Sequence, residues 1–347
     1  MKTLFVLITT LMMASVFADE NFARFSIDKS VYEQLSSTQQ TALGTKTQEL
    51  GRFIENNVKT QIPDYLLEKT KNLKVKILLT DKPGRDGLFI PQESGEHTIA
   101  VQLVQLNSNG IKALIAHEIF HAIHFQINPD EAAWVREGMA QLFEFMTTGE
   151  LNGMNLYATI NDPSTPLLGE YNPEVSNRAQ YGHDQLYFYY MYSHCGKDDF
   201  FWKLAQGEDN SGLKGSFLID AVLDKAGSKQ SECLNFTDSA ISFEVAKAHN
   251  QIQFGTGDDK NKYNVIAGDI APRFLKANTQ EGLKVIITSM PVLSSFRMPL
   301  KDFINLKGDC PTCAVYFAGN NFPYSVSEIM PKRVNDSDVI LVKLRRN

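Results

Sequence analysis

The chain has 347 residues, 43% of them hydrophobic and 21% charged, with a formal net charge of −6. This is an ordinary composition for a globular protein long enough to bury a substantial core. It excludes the broad basic field that draws proteins to nucleic acid, and the short basic run of Lys343, Arg345 and Arg346 is read as a solvated tail.

The N-terminus has the layout of an export signal. Met1-Lys2 gives a positive start, Leu4 to Val16 is apolar, and Val16-Phe17-Ala18 places small residues at the cleavage spacing. The expectation is a signal peptide over residues 1–18, cut after Ala18, and a secreted or periplasmic product. The apolar run is too short for a comfortable membrane span, and no later stretch is long and apolar enough to make one. Cys195, Cys233, Cys310 and Cys313 suit an oxidising compartment. Three pairings are open to four cysteines; Cys195–Cys233 with Cys310–Cys313 is the one expected. Cys310-Pro311-Thr312-Cys313 has redox-pair spacing, but no thioredoxin-like βαβ pattern surrounds it, so a local structural disulfide is expected.

Ser36 to Ile62 has apolar residues at helical spacing and should be mostly helix, interrupted at Pro63. Val75 to Leu79 is a strand, Asp81 to Gly84 a turn, Gly87 to Ile90 a short strand, and His97 to Leu103 an alternating strand. Asn107-Ser108-Asn109 should cap a helix running from Gly110 to about Phe125. Asp130 should cap a second, from Glu131 to about Met146. A loop is expected over Thr147 to Pro173. Helices follow at Ala179–His194, Phe200–Ala205, Leu213–Ala226 and Ser239–Ala248. The pattern changes near Gln253. Short β-like runs at Leu283–Thr288, Cys313–Phe317 and Val339–Leu344 suggest a small β-rich C-terminal domain over residues 261–347. Asn235-Phe236-Thr237 and Asn335-Asp336-Ser337 match glycosylation acceptors, which matter only where the host glycosylates exported proteins.

The chemistry centres on His117-Glu118-Ile119-Phe120-His121. On a helix, positions i and i+4 share a face one turn apart, so the two imidazoles can bind one zinc ion. Glu118 is rotated one residue away, where it can reach a water held by the metal and act as general base. A catalytic zinc needs a third protein ligand and an open fourth position. A metzincin would carry glycine at 124 and histidine at 127, but those positions hold His124 and Ile127. Glu137, in Trp134-Val135-Arg136-Glu137-Gly138-Met139-Ala140, lies on the next expected helix, and a helix–turn–helix can fold its carboxylate back onto the first. The expected metal ligands are therefore His117, His121 and Glu137, around one catalytic zinc ion.

The His117-Glu118-x-x-His121 and Glu137-Gly138-x-Ala140 pieces resemble the gluzincin zinc peptidases of the broad MA group, and the likeness continues weakly into Tyr181-Gly182-His183-Asp184-Gln185-Leu186-Tyr187. It covers roughly residues 70 to 210. The resemblance implies an α+β, zincin-like domain over residues 19–252, with a mixed-sheet part to about 126 and a helical part after it. It implies peptide or protein substrates, with the strand His97 to Leu103 lying at the sheet edge and pairing with an extended substrate. It makes Tyr181 the first candidate to stabilise the oxyanion; His183 is the second, by its proximity in sequence alone. One departure stands out. The thermolysin-like branch has an aspartate four residues after the glutamate ligand, supporting a ligating histidine; this chain has Gln141 there, and Glu144, nearly a turn on, is the available substitute.

The plainer readings are that His124 is a packed, hydrogen-bonded histidine and that Tyr187, Tyr189 and Tyr190 are core aromatics. The main rival to an enzyme is a secreted binding protein that keeps the zincin scaffold and works through its β-rich module. The intact Glu118 argues against it, because a pseudo-enzyme usually loses its base. A structural zinc would be Cys-rich and closed, unlike this Cys-free set.

Overall fold

A computed structural model describes residues 22–81, 86–92, 96–161, 165, 177–207, 212–226, 233–248, 295–299, 313–317 and 338–343. The chain divides into two compact units. The first holds residues 1–129 and 143–150, the second residues 130–142 and 151–347.

The first unit is α+β. Strand β1 (Ala23–Ile27) leads into helices α1 (Lys29–Gln34) and α2 (Ser37–Phe53). The start of α2 is set by a capping box: Ser36 Oγ accepts from Gln39 N–H while the Gln39 side chain accepts from Ser36 N–H. The helix widens into a π-turn (Ile54–Val58) and then tightens into a 3-10 turn (Lys59–Gln61) before Pro63, which lacks an N–H to continue it. After α3 (Asp64–Lys69) come β2 (Lys74–Thr80), β3 (Gly87–Ile90) and β4 (Glu96–Gln102). The four-stranded sheet has the order β1-β2-β4-β3, with β1–β2 and β2–β4 parallel and β3 antiparallel to β4. Val75, Ile77 and Leu79 of β2 are buried and pair with His97, Ile99 and Val101 of β4, also buried. Period-two alternation thus makes one face of the sheet core, each buried aliphatic contributing about 1.5–3 kcal/mol.

This order corrects the expected edge. The strand at His97 is β4, and it is paired on both sides, by β2 and by β3. The edge strands among the described residues are β1 and β3, and β3 is the one that lies against the helix carrying His117. Alternation in sequence identifies a half-buried strand but carries no information about which neighbour it acquires.

Helix α4 (Ile111–Ile127) closes the unit. It begins at Gly110 with no side-chain cap, so the expected Asn107-Ser108-Asn109 cap does not form; Leu103–Asn107 make a 3-10 turn instead. Ile115, Ile119, Phe120, Ala122 and Ile123 are buried. Helix α5 (Ala133–Thr148) starts two residues later than expected and runs through both units, residues 143–150 belonging to the first and 130–142 to the second.

The second unit contains α6 (Gly153–Asn161), α7 (Arg178–His194), α8 (Lys197–Ala205), α9 (Ser216–Ala226) and α10 (Phe236–Ala248). Helix α6 falls where a loop was expected. Its Asn- and Gly-rich sequence is a poor helix former, but Leu156 and Thr159 are buried and Thr159 Oγ1 donates to Ala179 O of α7, so packing overrides propensity. Helices α7 and α10 run antiparallel and are joined by His183–Glu244 and Tyr187–Ser239, with the disulfide Cys195–Cys233 just beyond their ends. Asn235 caps α10, its Oδ1 accepting from Asp238 N–H and its Nδ2 donating to Asp238 Oδ2. Strands β5 (Ser295–Pro299), β6 (Cys313–Phe317) and β7 (Asp338–Lys343) form an antiparallel sheet in the order β5-β7-β6. Two of them match expected strands. Leu283–Thr288, Cys310, the acceptor at Asn335 and the signal segment lie outside the described residues.

Candidate metal centre

The sequence of α4 sets apolar side chains toward the core and leaves His117 and His121 half-buried, one turn apart, on another face. Their rings meet edge to face with centroids 4.6 Å apart, and the two Nε2 atoms are 3.0 Å apart. Two nitrogens held at about 2.0–2.1 Å by one tetrahedral zinc would stand roughly 3.3 Å apart, so the pair nearly has ligand geometry. The other nitrogen of His117, Nδ1, lies 2.7 Å from Glu144 Oε1, and the Glu144 carboxylate is only 5% exposed. A carboxylate there accepts the Nδ1 proton, fixes the tautomer and turns the Nε2 lone pair toward the site.

Glu137 stands seven residues before Glu144 on α5, two helical turns away and on nearly the same face. His117, His121 and Glu137 each offer one ligand atom, and these atoms lie within 4.8 Å of one another. The cluster can hold a metal ion. Two imidazoles and one carboxylate suit zinc with an open coordination position, and the carboxylate behind His117 is the usual support for a ligating imidazole.

The residue after Glu137 explains itself sterically. A Cβ added at Gly138 would fall 2.3 Å from Phe188 Cδ2 and 3.2 Å from Asp184 Cβ of α7. Only glycine lets α5 come this close to α7, which fixes the turn carrying Glu137. Gln141, four residues after Glu137, accepts a hydrogen bond from Asn155 Nδ2 at 3.0 Å. Glu144 holds the place it leaves.

Glu118 is buried, 6% exposed, against the start of β3. A Cβ on Gly87 would sit 2.9 Å from Glu118 Oε1 and 2.8 Å from Leu114 Cδ1. Strand β3 itself is pinned at Asp86, whose carbonyl accepts from Gln102 N–H and whose carboxylate accepts from the Gln105 amide. Since Asp86 and Gln102 form a bonded pair, antiparallel alternation points the backbone N–H and C=O of Gly87 and Phe89 toward the open edge. The inner face of β3 continues as Phe89 against Phe125 and His97, with ring centroids 5.4–5.7 Å apart. His97 accepts Gln92 N–H on Nδ1, and burial lowers its pKa, opposed in part by the Gln126 side chain.

The remaining candidates are placed as follows. Tyr181 is half-buried in the first turn of α7, one turn before Asp184. His183 has no exposed surface and its Nε2 is 2.9 Å from Glu244 Oε1, itself fully buried. His124 is 1% exposed with its ring against Phe120, and is not part of the ligand cluster. Tyr187 is fully buried and bonded to Ser239; burial pushes its hydroxyl far above the ordinary phenol range, as befits a core aromatic. Sequence reasoning missed Gly87, which carries no motif, and Glu244, which becomes a partner only through tertiary pairing.

No protein-family model matches the chain, and no curated protein matches it in sequence.

Proposed function

We propose that the protein is an exported, zinc-dependent peptidase of the gluzincin kind, with His117, His121 and Glu137 as metal ligands and Glu118 as general base. The observation that carries the reading is the convergence of the three ligand atoms, with His117 oriented by Glu144. Zinc, when bound, supplies a Lewis acid that polarises a peptide carbonyl and acidifies water. Glu118 then takes a proton from the attacking water and returns it to the leaving amine nitrogen, for which its position one residue beyond His117 is suited. Tyr181 is the candidate donor to the oxyanion. His183 is assigned to holding α7 in place through Glu244 rather than to meeting substrate. An extended peptide would pair with the outward backbone groups of Gly87 and Phe89 on β3. Export agrees with the disulfide Cys195–Cys233 and with the absence, among the described residues, of any helix long and apolar enough to cross a membrane.

The test is hydrolysis of a mixed peptide library by the mature, zinc-loaded chain beside its Glu118→Gln variant. Cleavage that needs metal and falls by about 10²–10⁴-fold in the variant supports the reading. A folded, zinc-loaded chain that cuts nothing turns it toward a secreted binding protein on a zincin scaffold.

A further inference from the structure

Strand β3 and the Glu118 carboxylate meet at a residue without a side chain, and that contact has a consequence for the proposed reaction, on whose reading this inference rests. The Glu118 carboxylate can occupy its position because position 87 has no Cβ: the added atom would lie 2.9 Å from Oε1, closer than carbon and oxygen normally approach. The same atom would lie 2.8 Å from Leu114 Cδ1, one turn earlier on α4. The strand has little freedom to retreat, since Asp86 is tied by two hydrogen bonds and β3 is paired along its length with β4. Glu118 has little freedom on the other side, being 6% exposed within the helix packing. Yet the backbone of Gly87 faces the open edge, where a peptide strand would lie.

We infer that Gly87 is a positioning residue: its missing side chain sets the separation between the Glu118 carboxylate and a peptide strand paired to β3. A methyl group there moves Glu118 Oε1 off the water it must deprotonate while leaving the zinc ligands and the outward backbone bonds of β3 in place. The loss falls on the chemical step rather than on binding, because a base displaced by a fraction of an ångström weakens proton transfer.

The experiment compares the full chain with Gly87→Ala, and with Gly87→Ala carrying Leu114→Ala as well. Melting temperature and zinc affinity are read first. Steady-state kinetics then use a peptide that the library shows to be cut. Independently, the cobalt(II)-substituted proteins are titrated with pH by their visible absorption, with Glu118→Gln as reference. The expected result for Gly87→Ala is zinc affinity within about threefold of the parent and kcat lower by about 10- to 100-fold with KM little changed. The acid limb of kcat and the cobalt-linked ionisation should both move relative to the parent. Unchanged kcat in a folded variant overturns the inference, and so does a rise in KM alone. Restoration of kcat by Leu114→Ala overturns it too, because the effect would then come from helix packing rather than from Glu118. If the parent chain cuts no peptide, the peptidase reading fails by itself. The cobalt titration still decides whether a methyl at position 87 disturbs Glu118, a shift supporting the contact and no shift overturning it.

Discussion

At the scale of single residues, the site depends on which carboxylate stands behind His117. Glu144 is nearly buried and accepts the imidazole proton of His117 on a carboxylate oxygen. Its truncation, Glu144→Ala, should leave the ligand set intact but lower zinc affinity by about 10- to 100-fold, read by competition with a chromophoric chelator. Gln141→Ala should not, since the Gln141 amide serves Asn155. His97 gives a second residue-level expectation. Its folded pKa is lowered by burial, whereas the unfolded ring titrates near 6.5, so the unfolded state binds the extra proton first. Its contribution to stability is therefore complete above about pH 6.5 and is lost as pH falls through the lowered folded value. His97→Asn, which keeps an acceptor for Gln92 N–H, should melt lower than the parent at pH 8 yet lose less between pH 7 and 5 in thermal scans. The pairing of His117 with His121 in the cluster that could hold a metal ion was legible in the sequence because the two are related by local helical geometry. Glu144 was legible as an available substitute by counting turns from Glu137. Gly87 was not, because a glycine before a short strand has many explanations until the opposing carboxylate is seen.

Among elements, the close crossings of α7 govern the helical part. Gly138 lets α5 approach Phe188, and the antiparallel α7–α10 pair carries the ties at His183 and Tyr187, with the one at Cys195 just beyond its ends. Breaking the innermost tie leaves a buried carboxylate without its imidazole. His183→Ala should therefore cost about 3–5 kcal/mol in urea unfolding, against about 1–3 kcal/mol for Tyr187→Phe. A selective fall in kcat with unchanged stability would instead return His183 to the catalytic list. Most helices were legible from their periodicity, as α4 and α7 show. Helix α6 was hidden because its residues favour loops and only burial against α7 makes them helical. The edge of the sheet was misplaced for a related reason. Strand order is a tertiary property, and β4 and β3 differ little in local sequence preference.

On the scale of the whole molecule, one helix carries both Glu137 of the candidate cluster and Glu144, the partner of His117. Helix α5 contributes Glu137 from its first half and Glu144 from its second, and its two halves belong to different compact units. Zinc bound to the folded chain and not to the unfolded one should stabilise it by about 4 kcal/mol at a thousandfold excess over Kd. The check is a thermal melt with and without a chelator; an identical midpoint would mean that the cluster holds no ion under those conditions. The α+β character followed from the sequence, whereas strand β1 and helices α1 and α6 did not. The division of labour within α5 did not, because nothing in a continuous amphipathic helix marks where one packing partner gives way to another.

Strand β3 is only four residues long, yet it is one open margin of its sheet. Such a margin does not distinguish a substrate from any other extended chain, including a second copy of the protein caught partly unfolded. Its brevity is the safeguard. Two outward residues offer too few main-chain bonds to hold a stranger for long, and the glycine among them adds no side chain to strengthen the grip. Under the proposed peptidase reading a true substrate would stay because its carbonyl also reaches the metal, so that residence on the strand would depend on a group that a misfolded neighbour would have to present at the same spot.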